Sequence, residues 1–402
     1  MGIPNFTTFL KVAEIDTSTI YSFDSILIDA QSLIYTAIDT SLKDNEQLLF
    51  EDINFLVFNK IIDIVNSLFK TNNQSDFVTV VISLDGEGVP MKYPTQQKRR
   101  ENNVRGRDLY KIVLFGNNSI SNNVANYLIA ALKDKRHLQF LKNVPNHIRF
   151  LISGADSEGE GEHKLFHIAT HYKCKKPIIV SEDNDVFIIS CVHFTNFDLI
   201  QIKKKNNVYY NLNDIIANYL QYSVDILINV SFLFGNDFIP PIVYISENNP
   251  ALIHDAMYHC DQTYLPDILY TILTTIGKHM KYSQVAHIDE SLIVEYWKNC
   301  LWMLDYYTYK NFPQKYMKNV LYNAFDRNMI ITALLNQNYS KQTYEKAKLE
   351  YANLVTAAIS EKPFQEVFSK DQLPVIERFF LNANDNNGGY IEEINVRKMP
   401  RE

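Results

Sequence analysis

Four short apolar runs constrain this fold more than anything else in the chain. They are SILID at Ser25–Asp29, FVTVVISL at Phe77–Leu84, RFLIS at Arg149–Ser153 and PIIV at Pro177–Val180. Each is too short for a helix and reads as a strand buried on both faces. Between them lie stretches with helical spacing: Ala30–Ala37, Asp52–Lys70 and Val124–Leu132. In the second, apolar residues recur at 53, 56, 57, 61, 64, 65 and 68. Strands alternating with helices predict an α/β fold, a central and mostly parallel twisted sheet flanked by helices. Acids end or follow these runs. Asp29 closes the first, and Asp85 with Gly86 follows the second. In an open parallel sheet the functional site lies beyond the carboxyl ends of the strands.

The densest group of acids follows the third run. SGADSEGEGEHKL at Ser153–Leu165 packs Asp156, Glu158, Glu160 and Glu162 into seven residues, with glycines at 159 and 161 where the backbone bends. Apolar spacing resumes at Leu165–Ile168, so the segment is a loop entering a helix, with the acids at its N-terminus. The helix dipole favours acids there, and an acidic first turn on a solvated helix is the plain alternative. After PIIV comes Ser181-Glu182-Asp183-Asn184-Asp185, then apolar Val186–Ile189. Leu199–Ile202 and Val208–Tyr210 form a hairpin turning at Asn206-Asn207. Helices are predicted at Asp214–Leu220 and Asp225–Phe234, the latter ending at Gly235-Asn236-Asp237 ahead of Pro240-Pro241. Asn117–Asn123 is a polar loop.

Past Pro241 the strand signals fade. Amphipathic helices are predicted at Ala251–His259, Ile268–Lys278, Leu292–Tyr309, Lys318–Leu335, Lys341–Ile359 and Leu373–Leu381. Trp297, Trp302 and the tyrosines 306, 307 and 309 are assigned to the core. The chain thus divides into a catalytic domain over 1–245, a helical region over 246–381 and a polar tail over 382–402.

The acids Asp29, Asp85, Glu160, Glu162, Asp183, Asp185 and Asp237 each end an apolar element or open the turn after one. Gathered at one sheet edge, seven carboxylates repel unless cations neutralise them. Oxygen ligands without His or Cys select hard ions, Mg²⁺ or Mn²⁺. Two such ions serve phosphodiester hydrolysis. Asp29, Asp85, Glu160 and Glu162 are expected around one, and Asp183, Asp185 and Asp237 around the other. Lys164 either neutralises the cluster, touches the scissile phosphate or makes a structural salt bridge. Lys92, Lys98, Arg99, Arg100, Arg105 and Arg107 make a basic stretch suited to phosphates, with a solvated basic helix as the alternative.

The totals exclude several classes. The 402 residues carry a net charge of −7, unlike a protein that merely coats nucleic acid. No apolar run is long enough to span a membrane, and the N-terminus has no signal-peptide pattern. The four cysteines (174, 191, 260 and 300) are scattered, against a zinc site or disulfide framework and for a reducing compartment. The cytoplasm is expected, with the nucleus as the alternative. Abundant Tyr, Phe, Asn and Ile suggest an AT-rich coding genome, of a kind that would suit a virus.

The motifs in their order resemble the Xrn family of 5′→3′ exoribonucleases. The matching segments are MGIP at the start, LIDAQSLIY around Asp29, LDG with PMKYPTQQKRR after Asp85, GEGEHK at 159–164, SEDNDVFII at 181–189, FGNDFIP at 234–240 and CLWMLDYY at 300–307. They span roughly residues 1–310, and GEGEHK and GNDFIP are the specific ones. The resemblance implies that the seven acids bind metal. It implies that Lys92, Gln97, Arg99 and Arg100, with Lys98 able to share the role, receive a 5′-monophosphate on single-stranded RNA. It also implies a closed pocket that rejects capped or triphosphorylated ends, and processive release of one nucleotide at a time. Tyr35 stands where the family usually carries a histidine, and a tyrosine can stack on a base. The family's tryptophan-rich stretch beyond the core has no counterpart, since both tryptophans lie earlier.

Two other readings compete. MGIP and the IDA…IY wording also fit a flap-type 5′ nuclease acting on DNA. Such enzymes usually follow their last aspartate with a glycine-rich helix-hairpin-helix, whereas here Asp237 precedes FIPPIVYISENNP. A non-catalytic RNA-end scaffold would keep the basic pocket and lose acids, and all seven are present.

Overall fold

A computed structural model describes residues 17–44, 50–71, 77–86, 90–92, 118–142, 144–157, 159–219, 224–244, 250–258, 264–277, 280–308, 324–358 and 375–379, with the single positions 7 and 94. The expected strands form. β1 (Ser25–Asp29), β2 (Phe77–Ser83), β3 (His147–Ser153) and β4 (Pro177–Val180) are joined by β5 (Gln201–Lys204), β6 (Val208–Asn211) and β7 (Val375–Phe379). One seven-stranded sheet results, in the order β6-β5-β4-β1-β2-β3-β7. All pairings are parallel except β5 with β6 and β3 with β7. The fold is therefore α/β with a mostly parallel sheet. Among the described residues no helix is long and apolar enough to cross a membrane.

The strands are apolar on both sides because both faces are covered. Ile26, Ile28, Val80, Ile82, Phe150 and Ile152 face a core shared with α1 (Gln31–Asp44), α2 (Phe50–Thr71) and α3 (Asn118–Lys133). Leu27, Val81, Leu151, Ile179 and Ile202 face the opposite core. There they meet α4 (Gly161–His171), α5 (Asp185–His193), α6 (Leu212–Tyr219) and α7 (Val224–Phe234). The same cluster runs on into α8 (Pro250–Tyr258), α9 (Leu265–Ile276), α10 (Glu290–Tyr307), α11 (Arg327–Leu335) and α12 (Gln337–Ala358). Trp297, Trp302, Tyr296 and Tyr307 are among its largest fully buried side chains.

Two expectations are corrected. The polar residues 118–123 belong to α3 rather than to a loop. Ile120 is buried and the Ser121 hydroxyl donates to Gln31 Oε1 at 3.3 Å, so tertiary contacts override weak helix propensity. The helix expected over 373–381 is instead strand β7, paired antiparallel to β3 from His147↔Phe379 to Leu151↔Val375. A short apolar run carries little periodicity, and a distant edge decided its state. The polar tail and residues 318–323 of one predicted helix lie outside the described residues. The hairpin turn falls where predicted, with Asn206 at φ 59° and Asn207 at φ 55°.

The α4–α5 contact buries histidines. The His193 ring stacks on Phe166 at 5.1 Å and meets the His167 ring at 5.9 Å. Burial pushes both imidazoles down to about 4, with His167 adding to the shift at His193. A histidine whose folded pKa is depressed takes up its proton more readily in the unfolded chain. The stability it leaves intact above pH 6.5 is therefore lost as pH falls from 6.5 toward 4. Urea melts at pH 7 and pH 5 should show wild type losing a few kcal/mol relative to a His167→Leu/His193→Leu double variant. Parallel losses in both proteins would remove the histidines as the cause.

Candidate metal centre

The strand order creates the site. The chain runs from β1 to β2 to β3, then returns across the sheet so that β4 lies on the other side of β1. Where the order reverses, the carboxyl ends of β1 and β4 open a crevice. The return is made by α4, which packs on β1 and β2 and so brings its N-terminus over their ends.

Asp29 is the last residue of β1, in register with Ser83 at the end of β2. Its Oδ1 accepts from the Gln31 amide at 3.2 Å and its Oδ2 from the Ser181 hydroxyl at 3.0 Å. Asp85 lies two residues past β2, and its Oδ1 accepts from the Gly161 amide at 2.7 Å. Glu162 stands in the first turn of α4. Carboxylate oxygens of Asp29, Asp85 and Glu162 all lie within 4.8 Å of one another. The hydrogen bonds that orient Asp29 and Asp85 come from neutral donors.

Glu160 takes the N-cap position of α4 and diverges from that trio. Its Oε1 is 2.5 Å from Lys92 Nζ, and its Oε2 accepts from the Tyr306 hydroxyl. Lys92 also reaches Asp237 Oδ2 at 3.3 Å. Glu160 and Asp237 thus share the Lys92 ammonium.

Asp183 and Asp185 flank the start of α5. The Asp183 amide donates to Ser181 Oγ at 3.1 Å, the Asp185 amide to Asp183 Oδ1 at 3.1 Å, and Lys204 Nζ to the Asp183 carbonyl at 2.5 Å. Asp185 is buried, and among the described residues its Oδ1 meets no hydrogen-bond donor. Asp237 sits in a turn after α7 that Asn236 shapes: the Asn236 Oδ1 accepts from the amides of Phe238 at 2.9 Å and Ile239 at 3.0 Å.

Most of the acids are short of positive charge, whereas Asp183 is held below its usual range because nearby ammonium charge, that of Lys92 included, outweighs its burial. Burial, then the charges of Asp85 and Asp183, pushes the Asp29 carboxyl up to about 7. Glu162 is raised well above the usual range by burial, Glu160 and Asp183, and Asp185 by burial, Asp183 and Asp237. Burial also raises Glu160, against the pull of Lys92. Burial disfavours the Lys92 charge, but Glu160, Asp237, Glu162 and Asp185 outweigh it and hold the ammonium protonated well above its usual range.

Tyr35 stands by the same crevice. Burial and the Asp85 charge push its hydroxyl up to about 12. Gln97, Lys98, Arg99 and Arg100 lie outside the described residues, as do Glu158, Arg105 and Arg107. Lys164 is fully buried and donates to the carbonyls of Gly154 at 2.8 Å and Ser157 at 3.2 Å. It clamps the turn before α4; burial lowers its ammonium to about 8, against the pull of the Asp85, Asp156 and Glu162 charges.

Sequence reasoning missed Ser181, Gln31 and the α10 tyrosines. Tyr306 holds Glu160, and Tyr307 is buried near Asp185, its hydroxyl pushed well up by burial and by that charge. Both fit a core stripe on an amphipathic helix, and no spacing distinguishes a core tyrosine from one whose hydroxyl reaches a carboxylate.

Gly161 is where the backbone comes closest to the acids. A Cβ there would lie 3.2 Å from both Asp29 Oδ1 and Asp85 Oδ1. Gly161→Ala should displace both carboxylates and weaken Mn²⁺ binding by roughly tenfold or more. Stability should hold within about 1 kcal/mol, since alanine suits a first helical turn. Calorimetric Mn²⁺ titration beside a thermal melt checks this, and unchanged affinity would show that the acids yield without cost.

No family model matches the sequence, and no curated protein matches it. Among solved structures the chain is similar to the catalytic core of Rad2 in complex with DNA substrate, at 13% identity and TM-score 0.39 over 90% of this chain and 100% of that one. It is also similar to the T5 D15 protein co-crystallised with metal ions, at 10% identity and TM-score 0.36 over 83% and 100% of the two chains. The bacteriophage T5 D15 flap endonuclease in a complex with DNA and metal ions gives 11% identity and TM-score 0.36 over 84% and 100%.

Proposed function

We propose that this chain is a metal-dependent 5′ nuclease, and more narrowly a 5′→3′ exoribonuclease acting on RNA with a 5′-monophosphate. The observation that carries the reading is the Asp29–Asp85–Glu162 trio, three carboxylates from three segments brought within 4.8 Å of one another. Buried like charges persist at such distances only with a compensating cation or proton. The donor set is all oxygen, which suits Mg²⁺ or Mn²⁺. The Asp185 Oδ1, which meets no hydrogen-bond donor among the described residues, is a second sign that the cluster is built around a cation.

Asp29, Asp85 and Glu162 would hold one ion, and Asp183, Asp185, Asp237 and Glu160 supply oxygens for a second. Bound there, such ions supply an activated water and neutralise the leaving oxygen of a phosphodiester. The protein's part is orientation. Ser181, Gln31 and the Gly161 amide fix Asp29 and Asp85, Tyr306 fixes Glu160, and the Asn236 turn fixes Asp237. RNA as the substrate is supported by the wording of GEGEHK, SEDNDVFII and GNDFIP. The 5′-monophosphate is supported by the basic stretch from Lys92 on, in which Lys92, Gln97, Arg99 and Arg100 match the family's phosphate pocket and Lys98 is able to share the role. Tyr35 is assigned to stacking on the 5′ base.

The test is Mg²⁺-dependent digestion of one RNA carrying a 5′-monophosphate or a 5′-triphosphate, beside matched single-stranded DNA and a 5′-flap DNA. Selective loss of the monophosphorylated RNA, abolished by EDTA and by Asp183→Ala, supports the full reading. Cleavage of the flap alone makes this a DNA-processing nuclease. Absence of all cleavage with RNA still bound makes it a scaffold.

A further inference from the structure

The carboxylate cluster has two unlike halves. In one, Asp29, Asp85 and Glu162 stand together, and the hydrogen bonds that orient the two aspartates come from neutral groups. In the other, the protein has already supplied a cation. Lys92 is buried, with Nζ 2.5 Å from Glu160 Oε1 and 3.3 Å from Asp237 Oδ2. The Phe238 ring lies 5.5 Å from the ammonium. Tyr306 occupies the second oxygen of Glu160, so that carboxylate is engaged on both sides by protein groups. An ammonium between two carboxylates fills the place a bridging divalent ion would take, and a second cation cannot enter beside it without strong repulsion.

We propose that Lys92 is the resident counter-ion of the second metal position. The protein loads one divalent ion tightly on Asp29, Asp85 and Glu162. It takes up a second on Glu160 and Asp237 only when the Lys92 ammonium leaves them for an incoming anionic phosphate. Metal loading is thereby coupled to substrate arrival. Lys92 acts as a positioning residue that trades carboxylate partners for phosphate. This rests on the metal-dependent reading above and specifies how the site is regulated.

The experiment is Mn²⁺ titration of the full chain by calorimetry, with bound ion counted independently by electron paramagnetic resonance. The variants are Lys92→Met, which keeps the bulk and removes the charge, and Lys92→Arg, which keeps the charge. Wild type should bind one ion tightly. Lys92→Met should bind two, with the second tightened by roughly tenfold or more, as removal of a contacting like charge requires. Lys92→Arg should retain one. Thermal melts complete the test. Lys92→Met should melt lower than wild type without metal and recover with Mn²⁺, because the ion replaces the lost charge. Two equal sites in wild type, unchanged in Lys92→Met, would overturn the role of Lys92 and leave the metal-dependent nuclease intact. Failure of wild type to bind any Mn²⁺ would overturn both.

Discussion

Replacing Asp29 with asparagine should cut Mg²⁺-dependent hydrolysis by roughly a thousandfold or more, the scale of lost metal charge stabilisation. The same change should raise the melting temperature of the metal-free protein at pH 8. The two effects share one cause. Asp29 is buried beside Asp85 and Asp183, and its carboxyl is pushed up to about 7 from the usual 3.8. A carboxylate with a raised folded pKa holds a proton in the fold that the unfolded chain has released. Its contribution to stability therefore rises as pH falls from 7 to 3.8 and is lost above 7. At pH 8 the ionised group costs the empty fold on the order of a few kcal/mol. Asparagine keeps an oxygen for the Gln31 amide without the charge. In excess Mg²⁺ the order of melting temperatures should reverse, because only wild type gains binding energy from the ion. Melts of both proteins with EDTA and with Mg²⁺ decide the matter. A variant less stable under both conditions would mean that Asp29 is held for structure.

Gly235→Ala should have the largest effect on folding. Gly235 adopts φ 73°, and a Cβ there would lie 2.4 Å from Pro241 N and 2.7 Å from Pro241 Cα. Backbone strain alone costs about 1–2 kcal/mol, and contact with a rigid proline adds to it, for a total of roughly 3 kcal/mol or more. The chain cannot shift without breaking the turn that holds Asp237. There the Asn236 amide donates to the Ile239 carbonyl at 2.8 Å, and the amides of Ile242 and Val243 donate to the Leu233 carbonyl at 2.9 and 2.8 Å. Activity should fall with stability. Denaturant melts measure the first loss, and activity at a temperature where the variant stays folded measures the second. Full activity in a folded variant would show that Asp237 is positioned by something other than this turn.

The parts of this molecule that could be read from the chain are those fixed locally. SILID and PIIV read as strands because three consecutive apolar residues are too short a run for a helix and are bounded by polar or turn-forming residues. The acids after them lie at one edge because parallel strands share a direction. What escaped depends on distant neighbours. Residues 375–379 became a strand because the β3 edge stood open to them. Lys92 looked like a surface cation in a basic stretch, and only the fold presses it between Glu160 and Asp237. Lys164 sits two positions after Glu162, yet its partners are the carbonyls of the preceding turn. Tyr306 and Tyr307 share one helix and one apolar stripe with Trp302, and their hydroxyls gain meaning only where that helix meets the cluster.

The antiparallel pairing of β3 with β7 carries a consequence for how the protein is made. The ribosome emits β3 more than two hundred residues before its outer neighbour, Val375–Phe379. For most of synthesis, β1 to β4 can assemble while β3 presents an unpaired row of amides and carbonyls. Such an edge invites pairing with another nascent chain. Closing it requires a contact of very long sequence separation, which forms late and slowly. The nascent chain is thus most vulnerable to association after its first half has folded and before residue 379 emerges, and a chaperone acting on that edge would have its greatest effect in this interval.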